Sequence, residues 1–128
     1  GRETVLNSSE RAGSYLLERF AGETTEVIYQ LCLDRKGKLL ACKRLSEGSA
    51  AGADLNIRTL VSNALLTSAS AVILSHNHPS GVALPSQEDY AATRQVRDAL
   101  KTIGVELADH IIVADGDFVS MADSGYLT

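Results

Sequence analysis

A wholly apolar run, residues 71–74, leads directly into a polar segment that extends to residue 89. A short apolar run of this kind is typical of a strand that is covered on both faces. Pro79, Gly81 and Pro85 then predict an irregular loop. Ser86 and Asp89 have the spacing of a capping box, which predicts the start of a helix. The sequence therefore predicts a buried strand that passes through a loop into a helix.

Two of the three histidines of the chain lie in this segment, at positions 76 and 78. Side chains two residues apart on an extended backbone point to the same side, so His76 and His78 can reach one point. Asp89 brings a carboxylate from the first turn of the next helix. Two nitrogens and one oxygen form a three-ligand set that leaves the fourth position of a tetrahedral Zn²⁺ open. The alternative is that Asp89 only completes the capping box with Ser86 and offsets the helix dipole.

The absence of two other zinc-binding sequence patterns limits the kinds of zinc enzyme that the sequence can encode. The sequence contains no H-E-x-x-H, which excludes a zinc protease whose site lies on one helix. It contains no H-x-E followed by P-C-x-x-C, which excludes a nucleobase deaminase. Cys32 and Cys42 fit neither a zinc-ligand spacing nor a redox pair. We expect them to be buried free thiols, as in a protein of a reducing compartment such as the cytoplasm.

Upstream of the histidines, the sequence predicts a helix, a β-hairpin and a second helix. Ser8 or Ser9 caps the first helix, and Gly22 ends it in a left-handed conformation. Residues 25–34 and 39–45 predict two strands joined by a turn at residues 34–38. Residues 46–53 are small and Gly-rich and predict a loop or an irregular edge strand. Asp54 or Asn56 caps the second helix. Its predicted buried side consists of Ile57, Leu60, Val61, Ala64 and Leu65.

Downstream, residues 86–103 predict the longest helix, which Gly104 ends. Residues 105–114 predict a strand, Asp115-Gly116 is a two-residue hairpin signal, and residues 118–121 pair back. Three helices and about five strands favour an α/β fold with a mixed sheet on which the helices pack. The apolar stripe of the longest helix consists of Tyr90, Val96, Leu100 and Ile103.

Composition limits the classes of partner. The 128 residues suffice for a single domain, residues 1–128. The net charge is −4 and the basic residues form no cluster, so we expect no direct nucleic-acid binding by this domain alone. The sequence shows neither a signal peptide nor an apolar run that could span a bilayer, so no membrane partner is expected. Because the chain begins at Gly1, we also expect that an N-terminal neighbour has been lost.

The segment from His76 to Asp89 resembles the JAMM motif of the MPN metalloproteases, which also has a Glu at the start of an upstream strand. It is more closely similar to RadC-like proteins, which typically read His-Asn-His-Pro-Ser-Gly and then Pro-Ser-x-x-Asp. Residues 26–28, 33–35, 109–112 and 120–125 extend the resemblance over nearly the whole chain. One departure is Thr59, which follows Arg58 where RadC-like proteins usually have Glu. It leaves the metal motif untouched.

The resemblance implies a cytidine-deaminase-like (JAB/MPN) α/β fold and one Zn²⁺ per chain, held by His76, His78 and Asp89. It implies hydrolysis of a peptide or isopeptide bond in a protein or peptide substrate. It also implies an N-terminal helix-hairpin-helix domain in full-length relatives, which is absent from this chain. RadC-like proteins carry a DNA-repair label and some MPN domains are scaffolds, so a non-catalytic module is the alternative function.

Catalytic roles can then be assigned from chemistry. Glu26 is the candidate general base that activates water, against the alternative of a surface Glu that opens a strand. Ser86 is a candidate hydrogen-bond donor to the developing oxyanion, a role compatible with a helix N-cap. Asn77 is expected to support the loop backbone. His110 is either a residue that orients a ligand or a structural histidine on a strand.

Overall fold

The computed structural model of the protein describes residues 3–47 and 55–127, with residues 46 and 47 described by their backbone only. The described chain forms three helices, α1 (Ser9–Phe20), α2 (Ile57–Leu66) and α3 (Gln87–Lys101). Its strands are β1 (Val27–Leu33), β2 (Leu39–Glu47), β3 (Ala71–Asn77), β4 (Glu106–Ala114) and β5 (Asp117–Ser120). None of the helices in these ranges is long and apolar enough to cross a membrane.

The strands form one sheet in the order β2-β1-β3-β4-β5. Strand β1 is antiparallel to both β2 and β3, β3 is parallel to β4, and β5 is antiparallel to β4. The parallel pair requires a long crossover, which α3 supplies. The predicted α/β fold with a mixed sheet and three helices is thus confirmed.

The sheet is covered on both faces by different helices. Val72 and Leu74 pack in a cluster with residues of α2 and α3, such as Leu60 and Val96. Ile73 packs in a second cluster that contains the buried side of α1. Strand β3 is therefore buried on both sides, as its apolar sequence predicted. Because alternate residues share a face, His76 follows Val72 and Leu74 onto the side of α2 and α3.

Most predicted boundaries agree with the structure. Ser8, and not Ser9, caps α1 by accepting a hydrogen bond from Arg11 N–H, and Gly22 follows with φ +83°. Asn56 caps α2, whereas Asp54 lies outside the described residues. Asp115 and Gly116 form the predicted β4–β5 turn with φ values of +51° and +79°.

Three predictions about α2, α3 and β2 were wrong. Leu65 was assigned to the buried side of α2 but is 57% exposed, because the helix buries only the narrow stripe of Leu60 and Ala64. Helix α3 ends at Lys101 rather than at residue 103. Strand β2 continues to Glu47, past its predicted end at residue 45. The rest of the predicted loop or edge strand, residues 48–53, lies outside the described residues.

Candidate metal centre

The carboxyl end of β3 and the first turn of α3 bring the three predicted ligands together. The His76 Nε2 atom lies 2.9 Å from His78 Nε2 and 3.1 Å from Asp89 Oδ1. The distance from His78 Nε2 to Asp89 Oδ2 is 3.4 Å. One ligand atom from each residue lies within 4.8 Å of the other two, and His76 and Asp89 are buried. This group can hold a metal ion.

The spacing of these atoms fits a small cation. Ligand atoms at 2.0–2.1 Å from a tetrahedral Zn²⁺ lie about 3.3 Å apart. The three observed separations, 2.9, 3.1 and 3.4 Å, are close to that value. The chemistry of two imidazoles and one carboxylate suits zinc and several other first-row divalent ions.

A hydrogen bond at His78 indicates which ring nitrogen faces the cluster. Its Nδ1 atom lies 2.9 Å from the carbonyl oxygen of Val82. A carbonyl can only accept, so Nδ1 carries a proton and is directed away from the cluster. Nε2 is therefore the nitrogen of His78 that faces His76 and Asp89 and can bind a metal ion.

Asp89 is oriented by the start of its own helix. Its Oδ2 accepts a hydrogen bond from Ser86 N–H at 2.8 Å, and its own N–H donates to Ser86 Oγ at 3.1 Å. Burial raises the pKa of Asp89, but hydrogen bonding with Ser86 is among the causes that hold the pKa well below its usual range. The capping box and the metal cluster are therefore compatible. The hydrogen bonds of the capping box help to orient the Asp89 carboxylate towards the two histidines.

Behind His76 lies a buried chain of polar side chains. His76 Nδ1 is 2.8 Å from His110 Nε2, and His110 Nδ1 is 2.6 Å from Thr93 Oγ1. His110 is 1% exposed. Burial, and then the neighbouring His76 ring, lowers the pKa of His110 well below its usual value. Of the two alternatives for His110, contact with a candidate ligand is the one observed.

The sequence did not predict Thr93, and it gave no reason to choose between the roles of His110. Thr93 lies four residues after Asp89 on α3, so both side chains face the sheet. A polar residue at a buried helix position was the available signal. For His110, the register of β4 shifts between Leu107 and Asp109. This irregularity brings His110 beside Leu74, on the face that carries His76.

Asn77 connects the histidine strand to the segment that contains Glu26. Its Nδ2 donates to the carbonyl oxygen of Thr25 at 2.9 Å, and its Oδ1 accepts from Val27 N–H at 2.7 Å. Asn77 thus supports the backbone on both sides of Glu26, whereas the sequence predicted support for its own loop. Glu26 is half-buried.

The strand register indicates the end of the sheet at which Glu26 lies. Ile28 pairs with His76 across β1 and β3. Residue 26 precedes Ile28 by two positions and lies one residue before β1. The backbone of Glu26 is therefore near the end of β3 that carries His76, held there by the Asn77 hydrogen bonds.

A cavity of about 400 Å³ lies beside His78, and Asn77 also lines it, whereas His76 and Asp89 are not among its lining residues. Its apolar wall includes Phe20 and Val113, and the acidic side chains of Glu23 and Asp115 also border it. Cys32 and Cys42 are free thiols and neither belongs to the metal cluster. Cys32 is buried as predicted, but the prediction was wrong for Cys42, which is only half-buried because it lies on the edge strand β2. Burial is the main cause that raises the pKa of Cys32, so it is poorly suited to act as a thiolate.

Comparison with known proteins agrees with this geometry. A family model described as a RadC-like JAB domain matches residues 6–126. A UPF0758 protein of Azotobacter vinelandii is 42% identical over 126 residues, which are 98% of this chain and 56% of that protein. A UPF0758 protein of Stutzerimonas stutzeri is 44% identical with the same coverage. The chain spans about half the length of these curated relatives, whose names state no activity.

Proposed function

The chain belongs to the RadC-like JAB domain family, and on that premise we propose that it is a zinc-dependent metallopeptidase of JAMM type. It hydrolyses a peptide or isopeptide bond in a protein or peptide. The observation that carries this proposal is the convergence of His76 Nε2, His78 Nε2 and the Asp89 carboxylate at one point. Three ligands are typical of catalytic zinc sites, whereas structural sites are usually closed by four protein ligands.

His76, His78 and Asp89 would hold one Zn²⁺ per chain. When bound, the ion lowers the pKa of water towards about 7 and polarises a carbonyl oxygen. The protein's own part begins with the orientation of the ligands. The Val82 carbonyl holds the His78 ring and the Ser86 N–H holds the Asp89 carboxylate, so each of these two ligands has a second contact that fixes its direction.

Glu26 is the proposed general base. It takes a proton from the attacking water and returns that proton to the leaving amine, which a carboxylate near the reacting atoms can do in both directions. The position of its backbone at the end of the sheet that carries His76, and the hydrogen bonds of Asn77 on both sides of it, support this role. The alternative, a surface Glu with no role in the reaction, predicts no effect of its removal on hydrolysis.

Ser86 is the proposed donor to the oxyanion that forms at the scissile carbonyl. In the capping box its Oγ accepts the Asp89 N–H. A hydroxyl has one proton besides its lone pairs, so Ser86 can cap the helix and still donate outward.

The substrate in this proposal is a polypeptide. The cavity beside His78 is larger than a single amino-acid side chain, and its apolar wall can contact an apolar side chain of a peptide. The net charge of −4 does not favour a direct nucleic-acid partner. We place the activity in the cytoplasm because the two cysteines are free thiols.

Hydrolysis of peptide and isopeptide libraries by this chain is expected to depend on zinc. Protein loaded with one equivalent of Zn²⁺ should cleave members of the library, and chelation should abolish cleavage because the water loses its activating ion. Added Zn²⁺ should restore it. Products identified by mass spectrometry would give the bond cleaved. Cleavage that persists after chelation would contradict the proposed mechanism.

A further inference from the structure

A buried chain of hydrogen bonds joins two of the candidate ligands through residues that do not themselves belong to the metal cluster. It runs from the backbone carbonyl of Asp89 through Thr93 and His110 to the His76 ring. We propose that His110, held by Thr93, is a positioning residue that fixes the protonation site of His76 and leaves its Nε2 free for the metal. The inference rests on the proposed function only in taking a metal as the occupant.

The hydrogen bonds of Thr93 determine which partner donates in each step of this series. Its Oγ1 lies 2.6 Å from the carbonyl oxygen of Asp89, four residues earlier on α3. The carbonyl can only accept, so the single hydroxyl proton of Thr93 is used there. Oγ1 also lies 2.6 Å from His110 Nδ1 and must therefore accept from it. Met121 Sδ, which is also an acceptor, lies farther from Oγ1, at 3.6 Å, so the Asp89 carbonyl is the closer partner for the hydroxyl proton.

The proton position on His110 in turn determines the proton position on His76. Nδ1 of His110 carries a proton, and because the ring is fully buried it is neutral and has no second one. Its Nε2 is therefore an acceptor, and the only proton available over the 2.8 Å contact is that of His76 Nδ1. With that proton on Nδ1, the lone pair of the His76 ring is on Nε2, which faces His78 and Asp89.

All three histidines consequently share one tautomer. His78 is protonated on Nδ1 by its contact with Val82, His110 by Thr93, and His76 by His110. This tautomer is the less favoured one for a free histidine side chain, so the fold must impose it. Its consequence is that both candidate ligand histidines direct Nε2, and not the N–H of the ring, at the proposed metal position.

Nuclear magnetic resonance can read this pattern directly on the metal-free protein. Long-range ¹H–¹⁵N correlation spectra at mildly alkaline pH should show His76, His78 and His110 each protonated on Nδ1. Protonation of His76 on Nε2 in the wild-type protein would overturn the inference. The spectrum requires neither bound zinc nor hydrolysis, so it decides this point even if the proposed function fails.

Variants of Thr93 test the effect on the metal. Thr93→Val removes the acceptor of His110 Nδ1–H, and we expect a 10- to 100-fold loss of zinc affinity, the usual effect of removing a partner that orients a ligand. Thr93→Ser keeps the hydroxyl and should remain within a few-fold of wild type. Zinc affinity is measured by competition with a chelating indicator, and the spectrum of Thr93→Val should show a changed His110 tautomer.

Thr67→Val is the matched control. The Thr67 hydroxyl also donates to a carbonyl four residues earlier, that of Asn63 at 2.8 Å. Thr67 lies at the end of α2 and takes no part in the hydrogen bonds that connect Thr93, His110 and His76. It should leave zinc affinity and the three tautomers unchanged. Equal zinc affinities in Thr93→Val and Thr67→Val would overturn the inference. If Thr93→Val does not fold, the wild-type spectrum still decides it.

Discussion

Glu26→Gln is expected to retain zinc and to lose hydrolysis by roughly a hundredfold or more, the usual contribution of a general base. The amide keeps the size of the side chain and most of its hydrogen bonding, but it cannot take a proton from water. The measurement is kcat/KM on a peptide or isopeptide from the library, with zinc content determined on the same preparation. Loss of activity with full zinc occupancy separates an enzyme from a scaffold, because a structural ion has no use for a base.

Glu18→Gln is the matched control for this variant. Glu18 lies on α1, its side chain is exposed, and it does not line the cavity beside His78. Its substitution removes one carboxylate without touching the proposed base. Activity reduced equally in both variants would indicate a general effect of charge, and unchanged activity in Glu26→Gln would refute the assignment of the base.

Asp89→Asn is expected to weaken zinc binding at least about a hundredfold, more than the 10- to 100-fold usual for a residue that only orients a ligand. The substitution replaces an anionic oxygen ligand with a neutral amide. The helix start should survive, because the amide oxygen can still accept from Ser86 N–H. Competition with a chelating indicator gives the affinity, and circular dichroism of the metal-free protein reports the fold.

Asp98→Asn provides the comparison for Asp89→Asn. Asp98 lies on the same helix with its side chain 70% exposed, and its ion pair with Arg97 is at the surface. Its removal changes the net charge by the same amount but should leave zinc affinity unchanged. Equal zinc affinities in the two variants would show that Asp89 is not a ligand and that the capping box alone explains its position.

The convergence of His76, His78 and Asp89 was predictable because each of the three positions has a local cause. His76 and His78 lie two residues apart, so any extended backbone brings them to one side. Asp89 follows a capping Ser, so the helix start fixes where its carboxylate points. The apolar run before the histidines likewise predicted that β3 is buried on both faces, which the two hydrophobic clusters confirm.

The contact of His110 with His76 and that of Thr93 with His110 cannot be inferred from the spacing of residues in the sequence. His110 reaches His76 because β4 is irregular beside β3, and a register shift between strands leaves no mark in the alternation of one strand. Thr93 reaches His110 only once α3 has packed on the sheet. Leu65 was misplaced for a related reason, since helical spacing allows a wider apolar stripe than the neighbouring elements cover.

The zinc content of purified protein tests the central claim most directly. Wild type and His78→Ala, supplied with excess Zn²⁺ and then freed of unbound ion, are compared by elemental analysis against protein concentration. Removal of one of three protein ligands should abolish stable binding. The account predicts about one zinc per chain in wild type and almost none in His78→Ala. Equal zinc content in the two proteins would contradict it.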